Sequence, residues 1–542
     1  MTDTSTTDPD GAENDETLRG GSYDLLRRRL AGQAGELERV AQSIDDVRVA
    51  AFGTVGLALT GADRLATDMA CMPRDIARVG DLLLLGFNID VELSVQHPEQ
   101  VFALYEASDV SRDQPILSPV ATDDPRNFLA DAEFRDEFDK LVRFFGKTRF
   151  ADLRTTQNQL LAVFQVGDRI DDVRVFRWAL TGERAERRAS FVDARGDRDY
   201  TWPDAHDQTW TTATRDDQRA GAYPVVSIHD EVFVGFRNGR LQLRVETGEG
   251  GSHPEIDEPV ENSGQSLADI AVDHLTVGDI LLIRVSLYEE AARTYVFSRR
   301  SRSGQRVDAA GVASRLLPGG EGIIFPGGFH LTSSGTRVFD VDVDDLQFEE
   351  LIAAPNGEDV LYVFHRRSNG EYLLMPYNLV RREVAQVIAC HGFATFGNGS
   401  MVLFRDQATD TDPAKIHPIQ WWRTPFADAD HVPDVSGEHP WMQRVGNAAL
   451  VAGLGDLYDV VRLSRDDRPN ARTWEGLAAA TRRAMDQHLW FVDDEADGLH
   501  AAAQEVLTTA GQLLDEHKLV ERKRSAARAT LATAEADVRQ VL

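Results

Sequence analysis

The tripeptide Gly146-Lys147-Thr148 matches the end of a phosphate-binding loop, and with it the chemistry of nucleotide binding. Such a loop wraps phosphate oxygens in backbone N–H groups and must open on a glycine. Leu141 stands where that glycine belongs, inside the helically spaced stretch Glu137–Phe145. ATP binding is therefore not expected, and Lys147 reads as a solvated residue just past a helix end capped by Gly146. Asp340, Asp342, Asp344 and Asp345 resemble the opening of a calcium loop. Asp345 replaces the glycine of its sharp turn, and Leu351 replaces its bidentate glutamate. Because Phe339, Val341 and Val343 alternate with the aspartates, the run reads as a strand with one wet face.

Nucleophile chemistry finds little support. There is no Gly-x-Ser-x-Gly elbow and no His-Glu-x-x-His helix. Cys390 and His391 are neighbours, and strand geometry would send them to opposite faces. The 14 histidines lack ligand spacing, and Cys71 and Cys390 are too few for a disulfide framework or a cysteine zinc site. No catalytic, cofactor-binding or metal-binding residue is expected, and no cofactor. Arg27-Arg28-Arg29 carry the chemistry of phosphate contact, as do Arg299-Arg300 with Arg302 and Arg381-Arg382. In an acidic chain they read first as ion-paired surface, so nucleic acid is only weakly supported as a partner. Trp421-Trp422 read as buried aromatics closing a β-rich ring.

The solvent is written in the charge. Lys+Arg 58 against Asp+Glu 89 give a net charge of −31, and only five residues are lysine. Such self-repulsion destabilises a compact state at low salt, whereas at ~1 M salt the Debye length falls to about 3 Å and removes most of that cost. The composition points to a halophile's cytoplasmic protein. The same screening disfavours a bulk electrostatic grip on DNA. No apolar stretch approaches the ~20 residues of a membrane span, and Met1–Thr17 has neither the basic nor the apolar region of a secretory signal. No membrane partner is expected.

With 542 residues the chain should hold several domains. Residues 1–20 read as a disordered acidic tail. Residues 21–125 read as a long helix followed by a small α+β unit: Ser22 is an N-cap, and Tyr23, Leu26, Leu30, Leu37, Val40, Ile44, Val47 and Ala51 form a coiled-coil-like seam in which Gln33 fills the missing position. From 126 to 430 short β-type runs such as Leu160–Phe164, Val232–Phe236, Ile280–Val285 and Val360–His365 alternate with Gly/Asp-rich turns. Asn238-Gly239 and Asn369-Gly370 carry hairpin signals. This rhythm predicts a mainly β body of β-propeller type, with tandem β-sandwiches as the alternative.

Residues 431–542 read as a helical region ending in coiled coil. Trp474, Leu477, Thr481, Met485 and Leu489 share one face. Leu499, Val506, Leu513, Val520, Ala527, Ala534 and Val541 then recur every heptad, joined by Leu531 and Val538. A long uncovered seam is rare in a soluble monomer. Leu499, Val506, Leu513, Val520 and Val538 are thus expected to form a partner surface, for another protein or a second copy. No helix-stop residue precedes Leu542, which suggests that the natural protein continues or that a partner takes up the seam.

Four stretches carry a family resemblance: Gly20–Leu30 (GGSYDLLRRRL), Met72–Asp81 (MPRDIARVGD), Gly86-Phe87-Asn88 and Val101–Tyr105 (VFALY). They resemble the opening of the large prokaryotic proteins labelled "DNA repair ATPase". In that family an N-terminal region precedes coiled coil and a later AAA-type ATPase module. The resemblance implies association with an ATP-driven machine in cis or in trans, since no Walker motif occurs in these residues. The leading expectation is a non-catalytic recognition and scaffolding region associated with an AAA-type ATPase in DNA repair or maintenance. The runner-up is a hydrolase or lyase whose carboxylates converge in the channel of the β body. A cluster of carboxylates with raised pKa in a deep pocket would favour the enzyme.

Overall fold

The computed structural model describes residues 10–541 apart from 54, 90–94, 96, 109–115, 147, 157, 170–171, 184–185, 199, 222, 248–250, 263, 301, 406–412, 429–438 and 467–468. Its strands form six sheets among these residues, and one seven-stranded sheet is shared by two blades. That gives seven blades. Blade 1 holds the second half of the strand Ala58–Val79 with Leu82–Ile89, Phe102–Ser108 and Ile116–Pro119. Blade 2 runs from Arg149 to Asp193, blade 3 from Gln218 to Pro259, and blade 4 from Ala271 to Arg306 with Thr211–Thr212 at its edge. Blades 5 and 6 span Arg315–Val338 and Gln347–Val384. Blade 7 takes Phe393–Thr395, Ser400–Phe404, Ala414–Arg423 and the first half of Ala58–Val79.

That shared strand closes the β body. Leu59 pairs with Trp422 and Gly61 with Trp421, whereas Ile76 pairs with Leu85 in the next blade. One continuous strand therefore belongs to the last and the first blade. Trp421 and Trp422 are buried where the ring is closed, the place expected for them. Between blades the cores are continuous. Aromatics fill the space from blade 1 to blade 2, where Phe134 and Phe138 of the helix Ala132–Phe144 meet Phe164, Phe176 and Trp178. Further apolar layers join blades 1 and 7, 7 and 6, 6 and 5, 5 and 4, and 4 and 3. The run Ile280-Leu281-Leu282-Ile283 is buried on both faces because it lies between two such layers. At the expected hairpin, Asn238 and Gly239 both take positive φ, as a two-residue turn between paired Arg237 and Arg240 requires.

Three expectations are corrected. The small α+β unit of residues 21–125 does not exist: its strands are blade 1 and the closing strand, whose partners lie over 300 residues away in sequence. The stretch read as a tail up to residue 20 is already helical from Asp10. Asp340–Asp345 are not a strand but the link between blades 5 and 6, with Asp342 paired to Arg366 at 3.1 Å. The alternation survives because Phe339, Val341 and Val343 still pack on the core below.

Four helices form a bundle against blade 6: Asp10–Phe52, Asn447–Ser464, Ala471–Gln487 and Leu499–Val541. Gln33, the odd residue of the first seam, donates to Glu505 at 3.1 Å, and Arg39 feels the charge of Asp497. The first and last helices therefore run antiparallel. Leu499, Val506 and Leu513 are fully buried in this bundle, so that part of the seam is covered within the chain and offers no partner surface. Burying a heptad seam needs only one facing helix, and the first helix supplies it. Val520 is half-buried, Leu531 is exposed, and the side chain of Val538 lies outside the described residues.

Two buried ion networks fasten bundle to propeller. Arg48, with no exposed surface, donates to Asp45 at 2.9 Å, to Glu358 of blade 6 at 2.9 Å and to Asn447 at 3.0 Å. Arg382, just before the last strand of blade 6, meets Glu321 at 2.6 Å, Asp456 at 2.8 Å and Asp459. Gly455 lets the helix come this close: a Cβ there would lie 2.8 Å from the Leu379 carbonyl oxygen.

Candidate functional site

The first strand of each blade is an edge strand, free to line the channel. Those of blades 1, 2, 6 and 7 wall a cavity of about 500 Å³ that Asp75, Asp152, Glu349 and Glu350 face. All three strands that supply these carboxylates break register there. The extra residue is Arg74 in blade 1, Ala151 in blade 2 and Glu349 in blade 6. A β-bulge turns the side chains beside it out of the regular alternation. Asp75, Asp152 and Glu350 are each the first paired residue after the bulge, so the same local device aims three acids into one space.

Asp75 and Asp152 are both buried. Asp75 accepts the backbone N–H groups of Ile76 and Leu153, each at 2.7 Å, and so ties blade 1 to blade 2. Asp152 accepts the hydroxyls of Tyr200 at 2.7 Å and Tyr372 at 3.2 Å. Burial and the charge of Asp152 push the Asp75 carboxyl well above the usual range. On Asp152 burial opposes charge, but His365, Arg154 and the Tyr200 hydroxyl outweigh it and lower the pKa. One proton held by two acids is the outcome, with Asp75 as the acid and Asp152 as the base. Burial also raises both tyrosines, which stay hydroxyl donors.

Arg154 leans over the Tyr200 ring at 4.7 Å and pairs with Glu349 through Oε1. Glu349 Oε2 is buried without a hydrogen-bond partner, and His365 Nδ1 stands 3.8 Å off, stacked on Tyr372 with ring centroids 4.1 Å apart. Glu350 keeps surface open to the channel, but the protein walls desolvate its carboxyl and, with the charge of Glu349, raise it to about 7. Arg78 and Arg187 also face the cavity. Arg78 is held by the carbonyls of Gly80 at 2.8 Å and Thr395 at 3.5 Å. Chemically, the site offers a protonated acid, an ionised acid, two hydroxyl donors and an unsatisfied carboxylate oxygen.

The residues singled out from sequence lie elsewhere. Arg27, Arg28 and Arg29 are exposed on the first helix, remote from the channel. Arg299 pairs with Glu231 at 2.7 Å, as expected of ion-paired surface, whereas Arg382 is buried in the bundle contact. Lys147 lies outside the described residues; Leu141 is buried in the helix Ala132–Phe144. Cys390 is buried, which pushes its thiol up and away from thiolate chemistry. No group of His, Cys, Asp and Glu among the described residues has metal-binding geometry. The channel acids were missed, though a signal existed: Phe150-Ala151-Asp152-Leu153 and Phe348-Glu349-Glu350-Leu351 repeat an aromatic-x-acid-leucine pattern.

Residues 36–489 match the family described as "ATPase involved in DNA repair". The chain belongs to this family. The match reaches far past Tyr105, where the motif resemblance ended, and takes in the propeller and most of the bundle. No curated protein matches the chain. Among solved structures it is similar to TolB from Acinetobacter baumannii, at 12% identity over 65% of this chain and 78% of that one, with a TM-score of 0.15. Oligopeptidase B from Leishmania major gives 6% identity over 72% of this chain and 52% of that one, with a TM-score of 0.18. A prolyl endopeptidase gives 11% identity over 76% and 52%, with a TM-score of 0.20. Among the described residues no helix is long and apolar enough to cross a membrane.

Proposed function

We propose that this chain is the recognition and coupling region of a DNA-repair ATPase, acting on an AAA-type module in cis or in trans. The observation that carries this reading is the rigid attachment of a helical lever to a propeller. Arg48 and Arg382 bind both bodies through buried ion networks, and breaking one partner of such a network costs several kcal/mol. The last helix continues past the bundle with an exposed face that includes Leu531. An event at the propeller channel is thereby conveyed to a partner on the helix. The chain itself binds no ATP in this reading, since a helix occupies the stretch where a phosphate loop would wrap. Calorimetric titration of the full chain with magnesium ATP tests this: no heat is expected, and micromolar binding lost in Lys147→Ala would overturn it.

A second reading, hydrolysis in the channel, is favoured by the Asp75–Asp152 pair. An acid and a base in one cavity are the minimum for general acid–base hydrolysis.

A further inference from the structure

We propose that the channel cavity is a binding site for a small ammonium or guanidinium compound, whose cationic group sits between Glu349 and Glu350.

Glu349 Oε2 is the decisive atom. Its side chain is 9% exposed and lines the cavity, yet this oxygen has no hydrogen-bond donor. A buried carboxylate oxygen left bare costs ~1–3 kcal/mol or more, so such atoms are kept where a ligand completes them. Arg154 already serves the other oxygen, and His365 Nδ1 is too far to serve this one. Beside it, Glu350 has no hydrogen bond at all among those of the described residues and faces the same cavity. Two adjacent acids thus share one arginine, and a single further cation fills the vacancy between them.

Positioning is built into the backbone. The bulge that makes Glu349 the extra residue turns it and Glu350 toward the same space. Tyr372 and Asp152 line the cavity beside them. Arg78 and Arg187 face the cavity too, but their charges act on each other and, for Arg78, on Asp81 and Asp428. The groups whose charge reaches Glu350 are Glu349 on its own strand and Arg154 and Asp152 on the strand opposite. The remaining charged or titratable groups of that wall are Asp75, Tyr372 and His365, the last behind Tyr372.

The raised Glu350 carboxyl supports the same geometry. It holds a proton near neutrality for want of a counter-charge, and an arriving cation displaces that proton. Binding is therefore weaker below pH 7 and releases protons where Glu350 is protonated. This site stands whether or not hydrolysis follows binding, so it deepens the second reading without depending on it.

The test is isothermal titration of the full chain with agmatine, which carries both an ammonium and a guanidinium group, in buffers of different ionisation enthalpy. The expected result is saturable binding that tightens at least tenfold between pH 6 and pH 8, with proton release, about 1.4 kcal/mol per tenfold step. Glu350→Gln should abolish the pH dependence and the proton release while leaving the melting curve intact. Glu349→Gln should abolish binding. Absence of binding to the wild type, or binding indifferent to both substitutions, overturns the proposal. Binding with no turnover of any ester or amide of the ligand leaves it standing and removes the hydrolase reading alone.

Discussion

Asp152 and Glu350 occupy the same place in two different blades: each follows a one-residue β-bulge, two positions after a phenylalanine and directly before a leucine. The equivalence extends to Asp75 in blade 1, where Pro73 takes the place of the phenylalanine and Ile76 that of the leucine. The acids of the channel are thus a structural repeat of the blades and not a chance cluster.

Asp75 should matter for stability through what it accepts. Asp75→Ala leaves the N–H groups of Ile76 and Leu153 buried and bare, at ~1–3 kcal/mol each. Asp75→Asn keeps one acceptor oxygen and removes only a carboxyl that is already protonated. Urea unfolding should show a loss of roughly 2–5 kcal/mol for Ala and under half of that for Asn. Equal losses would mean that the backbone tie to blade 2 is not what holds Asp75.

The pH dependence follows from the acids that are raised. Glu350 and Glu321 move from 4.5 to about 7, and burial is the first cause in both. Between those values the folded state binds the proton that the unfolded state has lost. Each acid's contribution to stability is therefore intact below 4.5 and declines as pH rises toward 7. Melting temperature should fall from pH 5 to pH 7.5, and Glu350→Gln should flatten part of the slope. A wild-type profile that rises across this window contradicts the assignment.

The two halves of the last seam should respond oppositely to charge. Val506→Asp places an unpaired carboxylate in the bundle core and should unfold the helices, costing several kcal/mol. Leu531 is 62% exposed, so Leu531→Asp should leave the melting curve unchanged. Circular dichroism reads both. If Val506→Asp melts like the wild type while losing self-association by light scattering, the seam is intermolecular after all.

Salt tests the composition. With a net charge of −31, thermal unfolding should move strongly upward as KCl rises from ~0.1 M toward the molar range where the Debye length is near 3 Å. A flat or falling melting temperature removes the halophile reading.

Much of the β body was legible from residues. Runs such as Leu160–Phe164 and Ile280–Val285 fall inside observed strands because short apolar stretches between Gly/Asp turns have no other stable use. The closing strand was not legible, because Leu59 and Trp422 find each other only once seven blades have turned the chain back on itself. For the same reason blade 1 read as a separate unit. The seam from Leu499 was seen correctly and its partner wrongly: periodicity shows that a face must be covered, not by which helix. The channel acids sit 77 and 197 residues apart along the chain, at positions 75, 152 and 349, and no local spacing rule joins them.

The central claim is that the propeller drives an ATPase through the bundle, and Arg382 tests it most directly. Arg382→Met leaves Asp456, Asp459 and Glu321 without their buried cation and uncouples the two bodies. The measurement is the ATP hydrolysis rate of an AAA-type module of this family, alone, with the wild-type chain and with Arg382→Met, the variant's folding checked by its melting transition. The account predicts that the wild-type chain changes the rate several-fold and that folded Arg382→Met does not. A rate indifferent to the wild-type chain, or one changed equally by the folded variant, would contradict it.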